Sequence, residues 1–180
     1  ILRSHPGLRL EASFSDRVID PVEEGVDLCL RFGELPDRTD IAARPLGSQR
    51  LVLCAAPSYL NEAGKPQNLH DLQNHACILG SRLGRAASWR FLDEAGRVKS
   101  IDPPATHLVS DGEVVIDMAV AGFGLCQMPQ SLLQPHIDQK ELVEVLPDRC
   151  QVQSPFNAVW PVTRAMLPRV RIVVDELVRR

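Results

Sequence analysis

The chain has 180 residues, 44% of them hydrophobic and 24% charged, with 20 basic against 23 acidic side chains for a net charge of −3. Enough apolar surface is present to offset the entropy of ordering, which excludes a disordered chain. No apolar run approaches the roughly 20 residues that cross a bilayer, and a slightly acidic balance is unlike a domain that grips nucleic acid through its own phosphate contacts. Composition therefore predicts a soluble cytoplasmic domain with no membrane partner and no direct hold on DNA.

Leu8–Ala12 alternates with period two and is predicted as a strand, followed by a turn at Ser15-Asp16. Asp20-Pro21-Val22-Glu23 offers an N-cap, a first-turn proline and a capping acid, predicting a short helix that Gly25 stops. Val26–Phe32 reads as the next strand, residues 33–40 as loop, and Ile41–Leu46 and Leu51–Ala56 as two further extended runs. Pro57–Gly64 predicts a helix with a glycine stop, Asn68–Gln73 a helical turn and Ala76–Leu79 a strand. Trp89–Leu92 and Val98–Ile101 flank Asp93-Glu94-Ala95-Gly96 as a hairpin. Pro103-Pro104 breaks the chain before a strand at His107–Val109.

Ser110-Asp111-Gly112-Glu113 reads as a capping box opening the clearest helix, whose apolar face is Val115, Met118, Ala119 and Gly122. Leu125–Met128 predicts a strand, Pro129–Leu133 a short helix, Leu142–Leu146 and Phe156–Trp160 strands, and Pro168–Val178 a closing amphipathic helix. Alternating strands and helices of this kind indicate α/β architecture, with the hairpin suggesting a mixed sheet.

Chemistry-bearing motifs are scarce. Cys29, Cys54, Cys77, Cys126 and Cys150 have no C-x-x-C or zinc spacing and mostly sit in apolar runs, which reads as buried small hydrophobes. Gly122-Phe123-Gly124 follows a helix, and Gln127 stands where a dinucleotide fingerprint needs its third glycine, so a helix stop before a strand is the better reading. There is no nucleophile elbow, no phosphate loop and no histidine pair at metal spacing. His75 reads as structural, with a catalytic or ligand role as its alternative. Arg164, Arg169, Arg171, Arg179 and Arg180 read as a solvated face. No metal and no cofactor is implied, and no nucleophile, base and orienting group stand together.

The ordered motifs say more. Ser15-Asp16-Arg17, Glu23-Glu24-Gly25-Val26-Asp27-Leu28, Arg31-Phe32-Gly33, Arg44-Pro45-Leu46-Gly47, Ala56-Pro57-Ser58-Tyr59-Leu60, Asp71-Leu72 with His75, Trp89-Arg90-Phe91, Ala121-Gly122-Phe123-Gly124 with Met128-Pro129, and Arg164 with Leu167-Pro168 occur in that order along almost the whole chain. The series resembles the effector-binding domain of LysR-type transcriptional regulators. The resemblance implies a type II periplasmic-binding-protein-like fold. Its two Rossmann-like α/β subdomains would be residues 1–53 plus 155–180 and residues 54–154, with a ligand cleft between them. It implies a small-molecule effector, an organic acid or aromatic metabolite, held by Ser15, Asp16, Arg31, Phe32, Gly80, Ser81, Arg82, Ser110 and Asp111. For Ser15 and Asp16 a plain capping role is the alternative. The resemblance also implies a homodimer or homotetramer, in which the helix from Ser110 packs against the one ending near His5.

The family's winged helix-turn-helix and the opening strand of its first subdomain are absent from the sequence. DNA is thus expected as a partner only through a missing N-terminal domain. Pro21 and Glu176 replace residues that are usually apolar in the family. A periplasmic solute-binding protein shares the fold and stands as the alternative function; a small α/β enzyme is a third, disfavoured by the missing constellation.

Overall fold

The computed structural model describes residues 1–14, 19–82, 85–165 and 167–179. The chain divides into two compact units, Ile1–Ser48 with Ser154–Arg180, and Gln49–Gln153. It passes between them at Ser48–Gln49, inside the long strand β2 (Ile41–Ala55), and at Gln153–Ser154, at the start of β10 (Gln153–Pro161).

The first unit is a small antiparallel assembly. β1 (Cys29–Phe32) pairs with β10 in the register Cys29↔Val159 to Phe32↔Phe156, and β10 neighbours β2. The closing helix, labelled α4 below, runs from Pro168 to Val178 and buries Val170 and Val174, one turn apart, against Ala158. Its bounds are those predicted, because proline presets the first turn and the i, i+4 apolar pair faces the sheet.

Three expectations fail in this unit. Leu8–Ala12 is not a strand: no strand among the described residues pairs with it, and Leu10 is exposed. Alternation shows only which faces a strand would have, whereas the strand itself needs a partner ladder. Asp20–Glu24 is a turn rather than a helix. Asp20 Oδ1 accepts from Val22 N–H at 2.8 Å and Glu23 N–H at 3.4 Å, and Val26 N–H closes the turn on Pro21 C=O at 3.1 Å. The cap and the glycine stop both form, but too close together to leave room for helix between them. Pro21 is buried in this turn. Third, β1 begins at Cys29 rather than Val26, since Asp27 is drawn off to Arg164 and Arg169. The two runs expected at 41–46 and 51–56 are one strand, β2 (Ile41–Ala55), which continues through Gly47 at a φ of 154°.

The second unit is a three-layered α/β body. Its first helix, α1 (Pro57–Ala63), is followed by a 3₁₀ turn at Asp71–Asn74 and by β3 (Cys77–Arg82) and β4 (Arg85–Ala86). The hairpin β5 (Trp89–Leu92) and β6 (Val98–Ile101) has the predicted strand bounds and forms its own two-stranded sheet, Trp89 opposite Ile101. Then come β7 (Ala105–Val109), α2 (Gly112–Val120), β8 (Leu125–Pro129), α3 (Gln130–Asp138) and β9 (Val143–Glu144). β3 is parallel to both β7 and β8, while β8 and β9 are antiparallel to β2.

Side chains alternate between two cores. Val52, Cys54, Ile78 and Cys126 face α2 and α3, meeting Val115, Ala119 and Leu133. Leu53, Cys77, Leu79 and Leu125 face the hairpin, meeting Trp89, Phe91, Leu72 and Cys150. Burial on both faces is why these strands read as continuous apolar runs. α3 runs on to Asp138, beyond the expected end at Leu133. Gln130, Gln134 and Asp138 carry it through Pro135 by side-chain hydrogen bonds of 2.9 and 2.8 Å at i, i+4 spacing. The strand expected over Leu142–Leu146 keeps only Val143 and Glu144, because Leu146 takes a positive φ of 51°.

Candidate functional site at the strand ends

β3 and β7 run parallel with Gly80 opposite Val109, so Ser81 and Ser110 follow side by side at their carboxyl ends. Two local devices hold the strands there. Thr106 Oγ1 accepts from Cys77 N–H at 3.2 Å near the start of the pair, and Ala87 N–H donates to Gly80 C=O at 2.8 Å near its end. Ser81 is half-buried and Ser110 exposed, so both hydroxyls have room to give and accept a hydrogen bond.

The chain turns from Ser110 straight into α2. The capping residue is Asp111, not Ser110 as the capping-box reading had it. Asp111 has extended backbone, and its Oδ1 accepts from Val114 N–H at 3.0 Å. Starting one residue later lets the shorter carboxylate reach the first turn while Ser110 completes the strand end. Asp111 and Glu113 place two acidic groups at the helix end where backbone dipoles favour negative charge. That end is therefore already occupied by protein carboxylate. What the arrangement offers a ligand is chiefly hydroxyl and backbone hydrogen bonding.

Arg82 ends β3, opposite Arg85 of the antiparallel β4. The backbone at the start of the hairpin is pinned to β8: Gln127 Oε1 accepts from Arg90 N–H and its Nε2 donates to Arg90 C=O, both at 2.8 Å. Gln127 was not singled out as a site residue. The signal was a lone amide inside the apolar run Leu125–Met128, which seldom stays buried without two partners.

Arg31 and Phe32 lie in the first unit, at the end of β1. Arg31 Nη2 donates to Ile19 C=O, and Phe32 stacks on Phe156 with ring centroids 4.5 Å apart. Both side chains are thus engaged within that unit. Gly80, Ser81, Arg82, Ser110 and Asp111 are brought together in the second. Ser15 and Asp16 lie outside the described residues.

His75 is structural in its surroundings. Ala76 N–H donates to the Tyr59 hydroxyl at 2.8 Å, and that hydroxyl stands 3.0 Å from His75 Nδ1. The pair ties α1 to the start of β3. Burial raises the Tyr59 hydroxyl above its ordinary value. The Gly122-Phe123-Gly124 segment is the helix stop it was read as. A side chain at Gly124, where φ is 148°, would overlap the Ala76 carbonyl, so β8 enters the sheet only with glycine there.

All five cysteines are buried thiols. Burial pushes Cys77 and Cys126 up to about 12 and Cys150 up to about 11, far from a reactive thiolate. Among the described residues no three His, Cys, Asp or Glu side chains could hold a metal ion, and no helix is long and apolar enough to cross a membrane. The C-terminal arginines are paired where described: Arg164 and Arg169 with Asp27, Arg171 with Asp175, Arg179 with Glu176.

The model of the LysR substrate binding domain matches residues 1–180. The chain belongs to the LysR substrate-binding domain family. Its fold is accordingly the type II periplasmic-binding-protein-like α/β fold, as the motif series implied. The HTH-type transcriptional regulator CrgA of Neisseria meningitidis serogroup C is 32% identical over 175 residues, covering 97% of this chain and 58% of the relative. The HTH-type transcriptional activator TtdR of Escherichia coli K12 is 29% identical over 181 residues, covering 98% and 56%. The structure of the CrgA regulatory domain, from a LysR-type transcriptional regulator of Neisseria meningitidis, superposes with a TM-score of 0.79 at 30% identity, over 99% of this chain and 86% of that one. The chain thus spans a little over half the length of these full regulators.

Proposed function

We propose that this LysR-family domain senses a small metabolite and, within a longer cytoplasmic regulator, passes the event to an attached DNA-binding domain. The observation that carries the reading is the family match across the whole chain, joined by relatives that are transcriptional regulators. Those relatives favour it over a transporter's solute-binding protein and over an enzyme.

In the second unit the proposed effector contacts are Ser81 and Ser110, with the backbone of Gly80 and with Arg82 and Asp111 beside them; Ser15, Asp16, Arg31 and Phe32 are the contacts that the resemblance implies in the first. The effector class, a small organic acid or aromatic metabolite, is the one the family resemblance implies; with Asp111 and Glu113 at the α2 end, hydroxyl and backbone groups rather than the helix dipole would recognise it. Sensing requires that the effector bind one arrangement of the regulator better than another. Self-association as a homodimer or homotetramer is supported by Leu108 on β7 and Val114 on α2, which are 50% and 45% exposed on an edge strand and its following helix.

The test is thermal unfolding against a panel of organic acids and aromatic metabolites. A specific effector at about 100 times its Kd adds about 2.7 kcal/mol. Ser81→Ala with Ser110→Ala should abolish that gain while leaving the ligand-free melt in place. A panel that moves nothing, or a gain that survives the double substitution, overturns this site.

A further inference from the structure

The first unit contains a cavity of about 390 Å³. Its size falls in the range of small-molecule sites. All of its walls come from that unit: β2, the end of β10, Ala165 in the connection that follows, and α4. The floor is apolar, formed by Trp160 with Val170 and Val174, which also belong to the unit's core. The Trp160 Nε1–H is buried and has no acceptor among the described residues. Buried indole N–H groups almost always have one.

The rim is charged and unbalanced. Arg44 Nη1 stands 3.1 Å from Asp175 Oδ1, and Arg171 Nε stands 3.8 Å from Asp175 Oδ2. Two guanidiniums therefore share one carboxylate, and each has five N–H donors to use. Their side chains are 46% and 81% exposed, so they can turn toward a second carboxylate. An apolar floor and a rim of net charge +1 together fit a compact monocarboxylate with an apolar body.

We propose that the first unit carries its own site for such an organic anion, with the apolar body on Trp160, Val170 and Val174 and the carboxylate held by Arg44 and Arg171. Every residue in it lies outside the effector contacts at β3 and β7, so the two readings stand or fall separately.

Phenylacetate is the probe and phenylacetamide its neutral isostere. The chain has two tryptophans, Trp89 and Trp160, so its ¹⁵N spectrum contains two indole N–H signals, which Trp89→Phe and Trp160→Phe assign. Phenylacetate should move the Trp160 signal saturably. Phenylacetamide, or phenylacetate on the Arg44→Gln, Arg171→Gln double variant, should bind at least about tenfold more weakly. Asp175→Asn, which removes the competing carboxylate, should bind more tightly. Ser81→Ala with Ser110→Ala should leave the titration unchanged. If phenylacetate does not saturate the Trp160 signal, if the amide binds equally well, or if the arginine substitutions make no difference, the proposal is wrong.

Discussion

The two units of the chain are held together by different physics. Among the described residues, the second unit has two clusters of ten buried side chains, one on each face of its sheet. The first has a single cluster of three, with Leu10 and Phe14 left 65% and 95% exposed. Ion pairs make up part of the difference: Arg164 and Arg169 on Asp27, Arg38 on Asp20 and Asp40, Arg44 on Asp175. Pairs this exposed contribute little each, about 0–1 kcal/mol. The second unit should therefore behave as a cooperative core and the first as a looser body with few buried contacts, rimmed by weak ion pairs. Each unit has one tryptophan, Trp160 in the first and Trp89 in the second, so single-tryptophan variants can report on each separately.

The largest expected contrast is alkaline. Four of the five buried thiols, Cys54, Cys77, Cys126 and Cys150, lie in the second unit, and burial raises all four. An unfolded thiol ionises near 8.5. Below that value these groups are protonated in both states and cost nothing. Above it only the unfolded chain releases the proton, so each thiol removes up to about 1.4 kcal/mol per pH unit until its folded value is reached. Denaturant curves between pH 8 and 11 should fall more steeply for the Trp89 probe than for the Trp160 probe, since the second unit has four raised thiols and the raised Tyr59 hydroxyl while the first has Cys29. Cys126→Ala should make the Trp89 slope shallower. Equal slopes from the two probes would break the contrast.

Next in size is truncation of the cores. Phe91 is fully buried and packs edge-on against Trp89, so Phe91→Ala should cost the second unit about 3–5 kcal/mol. Val170→Ala in the first unit removes two methyl groups beside an existing cavity and should cost about 1–2 kcal/mol. Urea denaturation of the two variants, followed at each tryptophan, measures the ratio. If Val170→Ala proves as costly as Phe91→Ala, the first unit is better packed than its burial indicates.

How far the fold could be read from the sequence follows the same division. α1, the β5–β6 hairpin and α4 were predicted at or within a residue of their bounds, because a first-turn proline, a glycine stop or a four-residue turn is local chemistry. Leu8–Ala12 was misread because pairing is not local. β2 was cut in two because the polar stretch Gly47–Arg50 interrupts its apolar run, and β2 carries on through that stretch between the two units. The candidate site was legible only through family resemblance. Nothing near Ser81 in the sequence points to Ser110; they meet through the parallel register of β3 and β7. The first unit's cavity was not legible at all, since its walls come from three separate segments.

The capping carboxylate tests the second unit on a finer scale. Asp111→Ala leaves the Val114 N–H without its acceptor and should cost about 1 kcal/mol, read by the Trp89 probe alone.

The smallest effect separates the units by acid. Arg169, with Arg164 beside it, holds the Asp27 carboxyl below its ordinary value against the opposing effect of burial. A carboxyl lowered on folding adds stability that is fully present above its unfolded value near 3.9 and is lost as the pH falls through the folded value. Asp27 is 40% exposed, so screening limits that contribution to less than about 1 kcal/mol, and salt reduces it further. Asp27→Asn should therefore lower the Trp160 transition slightly at pH 7, converge with the parent chain once the pH has fallen through the folded value, and leave the Trp89 transition where it was. If Asp27→Asn moves both probes together at every pH, the two units unfold as one and charge is not what distinguishes the first.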